Sequence, residues 1–221
     1  MVDSLQQLQP IFLRLKHFYD AALAESSHHS GTFIGPPRAH CTVSAALNIL
    51  LVFFGGRPAC LPAWHCCDIK FLADLMKQLN SQILTVDPVT NVKFQHRYPS
   101  GETFDNYIIT RSKNPRINRR KQGPWSDKTI GLALGMHPKN VVEFSKADDG
   151  SKLSAFIVVE YGSGIEVYVE RFSNSPSSEE MAEFHSQCEE KVASWNRIMG
   201  SFGLPYRFFS TFEFPIKGTV D

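Results

Sequence analysis

Residues 41–54 read CTVSAALNILLVFF, and they include the longest apolar run in the chain. The stretch is apolar nearly all round, a pattern typical of a helix that is buried on every side. Gly55 and Gly56 follow, and glycine directly after a helix favours its termination. The apolar run from Val43 to Phe54 falls short of the ~20 residues that a membrane-spanning helix needs. The sequence therefore predicts a buried core helix here.

Apolar spacing and capping residues predict four further helices. They cover Leu5 to Leu23, starting or bending at Pro10; a segment capped by Asp68 and running to Ile83; a short segment from Ser126 to near Gly135; and a segment from a capping box at Ser177 and Glu180 to about Gly200. Alternating apolar residues and turn signals predict strands over Val92–His96, Thr103–Ile109, Leu153–Glu160, Ile165–Phe172 and Phe208–Phe214.

Helices come first in this order, and strands joined mainly by hairpins follow. That order favours an α+β fold: a single domain over residues 1–221, with an antiparallel sheet of about five strands packed by the amino-terminal helices and the late helix. Residues 1–82 form the helical part and residues 83–221 the mainly sheet part. A two-domain alternative would divide the chain near Gln82–Pro88.

Composition says little about partners. The chain has 221 residues, a formal net charge of +1 and five cysteines. It begins with the polar stretch MVDSLQQLQ, which does not resemble a secretory signal, and its odd cysteine count favours reduced thiols. We expect an intracellular, cytoplasmic protein with no membrane partner and no cofactor. The oligomeric state stays open.

The strongest functional signal is a basic segment, Arg111–Lys121, which reads RSKNPRINRRK. Six of its eleven residues are Lys or Arg and none is acidic. An arginine side chain can donate two hydrogen bonds to two phosphate oxygens, and lysine adds a point charge. The segment could therefore bind a phosphate-bearing partner, either nucleic acid or a phosphorylated small molecule. Trp125 and Tyr107 could stack on a base or ring. The candidate ligand-binding residues are Arg111, Lys113, Arg116, Arg119, Arg120, Lys121 and Trp125; the alternative is a solvated loop.

A second hypothesis is a thiol enzyme. Cys41 opens the buried helix, and a helix amino terminus lowers a thiol pKa. If the intervening turn centres on Pro99-Ser100, His96 pairs with Thr103 and Asp105 becomes its diagonal neighbour, which would let His96 act as base and Asp105 orient it. The alternative is a buried cysteine and a sheet-surface histidine.

The chain from Cys41 to Pro58 resembles papain-like cysteine peptidases over that stretch alone. The resemblance agrees with the hypothesis of a thiol-dependent hydrolase or transferase, for which Cys41, His96 and Asp105 are the candidate residues from the spacing argument above. It lacks the Gly-Pro pair that often follows the nucleophile in the most similar branch, and no histidine-led strand is evident downstream.

Histidines and cysteines also crowd together between His28 and Cys67. The residues are His28, His29, His40, Cys41, Cys60, His65, Cys66 and Cys67. No CxxC pair occurs among them, so we predict no metal site, although the crowding leaves that question open. A protein–protein interaction module without chemistry is the third functional hypothesis.

Overall fold

The computed structural model describes residues 2–26, 38–62, 66–79, 84–89, 96–97, 103–104, 106–111, 125–146, 153–159, 165–172 and 177–213. Within these ranges the chain forms six helices and eight antiparallel strands. The helices are α1 (Val2–Ser26), α2 (Arg38–Phe54), α3 (Ile69–Gln78), α4 (Asp127–Ala133), α5 (Pro138–Lys146) and α6 (Ser178–Ser201). The strands are β1 (Ala59–Cys60), β2 (Leu84–Val89), β3 (His96–Arg97), β4 (Thr103–Phe104), β5 (Asn106–Arg111), β6 (Leu153–Val159), β7 (Glu166–Phe172) and β8 (Phe208–Glu213).

Helix α2 is the predicted buried helix, and it lies at the centre of the main core. Every residue from Ala45 to Val52 is buried. The helix contacts α1, α3, α6, β1, β5 and β7. It ends where the two glycines predict: Gly55 has φ +84°, Gly55 N donates to Val52 O at 3.2 Å, and Gly56 N donates to Leu51 O at 2.7 Å. This pair of hydrogen bonds is a Schellman motif.

Helix α1 packs across α2 and α3. It begins at Val2 and runs through Pro10, so the prediction that the helix starts at this proline is wrong. The ring of Phe18 meets that of Phe71 on α3, with centroids 5.0 Å apart. Arg14 lies over the Phe71 ring and donates to Asp74 Oδ2 at 2.7 Å. The first and third helices are thereby joined by apolar packing and by an exposed ion pair.

The strands pair antiparallel, as predicted, but in the described part of the chain they form three sheets instead of one sheet of about five strands. Two sheets have three strands, in the orders β1-β5-β2 and β7-β6-β8, and β3 pairs with β4 alone. The hairpin of β6 and β7 and the final strand β8 are confirmed. The predicted turns at Tyr98–Gly101 and Gly162–Gly164 lie outside the described residues.

The sequence analysis did not predict three elements, β1, β2 and α5. Strand β1 has only two residues, and β2 contains Pro88, which weakens a strand pattern. Both pair with β5, so the stretch near Gln82–Pro88 where a domain boundary was considered lies largely within a strand. Helix α5 begins at Pro138, the first helical position, where proline is favoured because no amide hydrogen is needed.

The predicted register of the β3–β4 pair is wrong by one residue. His96 lies opposite Phe104, and Arg97 lies opposite Thr103. One additional residue in the connection moves the pairing, and a shift of one residue reverses which side chains share a face. The argument that Asp105 is the same-face diagonal neighbour of His96 loses its basis, because it required Thr103 opposite His96.

A smaller apolar cluster joins the first sheet to α4. Ala59, Val89 and Ile108 from the strands meet Ile130 and Ala133 from the helix, with Trp125 packed against them. Helix α4 has the predicted start at Ser126, whose Oγ accepts from Thr129 N at 3.2 Å while Ser126 N donates to Thr129 Oγ1 at 2.7 Å. This capping box fixes the helix at the point where the chain returns from the basic segment.

Candidate functional site

The basic segment begins at a described residue, Arg111, the last residue of β5. Arg111 pairs with Leu84 on β2, and its side chain is exposed. Its guanidinium lies close to Gly55, where a Cβ atom would overlap with Nη1 of Arg111. That position is beside the carboxyl end of α2, where the helix dipole favours a cation. The other five basic residues, Lys113, Arg116, Arg119, Arg120 and Lys121, lie outside the described residues.

The described residues that flank the basic segment on either side lie in one cluster. Ile108 of β5 and Trp125 belong to the smaller apolar cluster, so the chain leaves and returns at the same part of the molecule. Trp125 is half-buried there, and its packing leaves only part of the ring for a ligand. Tyr107, whose side chain is 38% exposed, offers the more accessible ring.

Cys41 lies in the first turns of α2 and is half-buried. Its pKa is raised well above the ordinary thiol range, first by a hydrogen bond to the side chain of Cys66 and then by burial. This direction is opposite to the one that a helix amino terminus alone would produce. Of its two proposed partners, His96 is described only as a backbone position in β3, and Asp105 lies outside the described residues. The catalytic arrangement of Cys41, His96 and Asp105 therefore stays a prediction.

Three cysteines meet at the start of α2. Asp68 caps α3 by accepting from Phe71 N at 2.8 Å, and its own N–H donates to Thr42 Oγ1 at 2.8 Å. This second bond joins Asp68, which directly follows Cys66 and Cys67, to Thr42, which directly follows Cys41. Cys67 is buried, and its pKa is also raised, first by a hydrogen bond to Cys66 and then by burial.

No group of three or more His, Cys, Asp or Glu side chains that could hold a metal ion occurs in the described ranges. His40 instead forms a hydrogen bond between its Nε2 and Ala22 O at 2.7 Å. Cys60 is fully enclosed, and burial raises its pKa to about 12, an increase that the charge of Arg57 partly offsets. His28, His29 and His65 lie outside the described residues.

Arg57 is a buried cation that sequence reasoning missed. Its side chain is only 8% exposed, donates to Asn48 Oδ1 on α2, and donates to Val167 O on β7 at 3.3 Å. The guanidinium carbon lies 5.9 Å from the centre of the Trp195 ring on α6. Its place directly after the glycine turn of a buried helix is the one local signal that could have indicated burial.

An open cleft of about 740 Å³ lies between the α4–α5 turn and α6. The sequence analysis did not find this cleft, because its lining residues come from segments that are far apart in the chain. The lining residues are Gly56, Leu132, Gly135, Met136, His137, Pro138, Gln187, Glu190, Lys191 and Ser194. Its charged groups have both signs, so the cleft does not select an anion or a cation.

Comparisons with known proteins do not assign this chain to a family. No family model matches it, and no curated protein or solved structure is detectably similar. Among the described residues, every helix is too short or too polar to cross a membrane.

Proposed function

We propose that the protein binds an anionic, phosphate-bearing partner, nucleic acid or a phosphorylated small molecule, through the segment from Arg111 to Trp125. The observation that carries the proposal is the composition of Arg111–Lys121, where six of eleven residues are basic and none is acidic. Concentrated like charge raises the local potential, which attracts anions even when the net charge of the chain is only +1.

The described flanks support this proposal. Arg111 is exposed at the end of β5, and Trp125 re-enters the same apolar cluster that β5 helps to form. Tyr107 of β5, which is 38% exposed, adds an accessible aromatic ring for stacking.

The test is the salt dependence of binding to a fluorescein-labelled single-stranded DNA 20-mer, with ATP titrated separately by calorimetry. Six phosphate contacts would give a slope of log K against log [NaCl] of about −4 for a single strand. Replacing Arg116, Arg119 and Arg120 with Ala should weaken binding and reduce the magnitude of that slope by about 2. Binding of ATP alone would identify a small-molecule site, and binding of the 20-mer with a steep slope a nucleic-acid site.

The matched control removes the same charge elsewhere. Lys70, Lys77 and Lys128 are exposed on α3 and α4, and their replacement by Ala also lowers the net charge by three. This control should bind nearly as the unmodified protein does. Affinity that is independent of salt, or equal losses in both triple variants, would contradict a localised site.

The two alternatives stay predictions. A thiol-dependent hydrolase or transferase using Cys41, His96 and Asp105 needs a thiolate, whereas the surroundings of Cys41 favour the neutral thiol. A protein–protein interaction module needs exposed apolar side chains. Among the described residues, the large exposed ones are Leu13, Ile69, Val86, Tyr107, Leu132 and Phe209. We also propose an intracellular, cytoplasmic location, supported by the five cysteines, none of which forms a disulfide.

A further inference from the structure

The five cysteines, including the three that lie together at the start of α2, differ in their access to solvent. Cys41 and Cys66 are half-buried, whereas Cys67, Cys60 and Cys188 are buried. A small oxidant in solution therefore reaches Cys41 and Cys66 more readily than the remaining thiols. These two are also hydrogen-bonded to each other through their side chains.

Their proximity is built into the backbone. The N–H of Asp68 donates to Thr42 Oγ1 at 2.8 Å, and Thr42 is the direct neighbour of Cys41. Thr42 is fully buried, and Asp68 is held in turn by its cap on α3. The contact between Cys41 and Cys66 is thus maintained by hydrogen bonds that do not involve sulfur.

We propose that Cys41 and Cys66 form a reversible intramolecular disulfide when the protein meets a peroxide. The Cys66 sulfur attacks one peroxide oxygen, the O–O bond breaks, and the products are a sulfenic acid and one water. The Cys41 sulfur then attacks the Cys66 sulfur, the S–O bond breaks, and a second water leaves. The two thiols lose two electrons and two protons in total, and hydrogen peroxide takes up both.

Cys66 is assigned as the attacking sulfur because it lies between two thiols. Cys41 and Cys67 each have a raised pKa, with the hydrogen bond to Cys66 as the first cause in both. Thiols that keep their protons act as donors, and two S–H donors stabilise negative charge on the sulfur that accepts them. Cys66 is also half-buried and therefore accessible to peroxide, so oxidation should begin at this sulfur.

The experiment treats the reduced full chain with hydrogen peroxide, alkylates it with iodoacetamide after denaturation, and measures its mass. Labelling should fall from five cysteines to three, and dithiothreitol should restore all five. Trypsin does not cut before Pro58, so chymotrypsin, which cuts after Phe53 and Phe54, is needed to separate the peptide of Cys41 from that of Cys66. The expected product is a cross-linked pair of these peptides.

Matched variants identify the partners. Cys41→Ser and Cys66→Ser should each abolish the cross-link, whereas Cys60→Ser, which changes a buried thiol outside the trio, should leave it intact. If a variant fails to fold, tandem mass spectrometry of the cross-linked peptides from the unmodified protein decides the question, because fragmentation between Cys66 and Cys67 shows which of these adjacent sulfurs is bridged. A Cys66–Cys67 bridge, a Cys41–Cys67 bridge, or a chain that still labels at five cysteines after peroxide treatment while remaining folded by circular dichroism would each overturn the proposal.

Discussion

At the scale of single residues, Arg57 is the most unusual feature of the core. It is a cation that is 8% exposed, and its hydrogen bonds reach α2 and β7 while its guanidinium lies near the Trp195 ring. Burying a charge costs free energy unless hydrogen bonds and neighbouring groups offset that cost. Arg57 therefore joins three elements only as long as its partners Asn48 and Val167 stay in place.

We expect Arg57→Ala to lower the free energy of unfolding by about 3 kcal/mol. The change removes a donor from the buried Asn48 Oδ1, leaves a cavity, and ends the contact with the Trp195 ring. Urea denaturation followed by circular dichroism measures the loss. Arg197→Ala, at an exposed position of α6, is the control and should change stability by less than about 0.5 kcal/mol.

The partner Asn48 allows a sharper form of this test. The double change Arg57→Met with Asn48→Leu removes the donor and the acceptor of this hydrogen bond together. The two apolar side chains still fill most of the volume that Arg57 and Asn48 occupied. We expect the double variant to lose less stability than Arg57→Ala, since apolar replacements of a buried polar pair are often tolerated. An equal or larger loss would show that the guanidinium contributes through contacts other than Asn48.

At the scale of elements, the start of α3 combines a local and a long-range contact. Asp68 accepts from Phe71 N within its own helix, and its backbone N–H donates to Thr42 Oγ1 on α2. The first bond is a helix cap that sequence spacing predicts. The second connects two helices, and it joins the neighbour of Cys41 to the neighbour of the Cys66-Cys67 pair.

We expect Asp68→Ala to destabilise the protein by about 1 kcal/mol, because α3 loses its capping acceptor. Asp68→Asn keeps an acceptor oxygen at the same place and should stay within about 0.5 kcal/mol of the unmodified protein. Thermal and urea unfolding measure both variants. Equal losses in Ala and Asn variants would mean that the charge of Asp68, not its cap, stabilises this helix start.

At the scale of the whole molecule, α2 connects the parts of the fold. It contacts the helices α1, α3 and α6 and strands from both three-stranded sheets. Trp195 of α6 adds a further connection at the carboxyl end of α2, since its Nε1 donates to Gly56 O at 2.8 Å and its ring meets that of Phe208 on β8. A destabilising substitution at the centre of α2 should therefore lower the stability of the whole fold.

We expect Leu50→Ala to cost about 3 kcal/mol, because Leu50 is fully buried in α2 and the change leaves a cavity. Leu13→Ala is the matched control: Leu13 is 67% exposed on α1 and should change stability by less than about 0.5 kcal/mol. Denaturant midpoints compare the two. A small loss at Leu50 would contradict a central role for α2.

Short-range features were predictable from sequence because their causes lie within a few residues. The body and glycine end of α2, the Asp68 cap, the Ser126 capping box, the β6–β7 hairpin and the late helix all follow from apolar spacing and neighbouring polar groups. The basic segment is equally local, since counting residues suffices to find it. What it binds stays a proposal.

Tertiary structure alone decided features that depend on residues far apart in the chain. Pairing of β1 and β2 with β5, the one-residue shift of His96 opposite Phe104, and the burial of Arg57 all depend on which surfaces meet after folding. Sequence spacing cannot place Cys66 beside Cys41, because that contact depends on the bond from Asp68 to Thr42 across two helices. Local patterns determined most of the helices and the β6–β7 hairpin, whereas packing between distant segments determined the short strands β1 and β2 and which side chains meet.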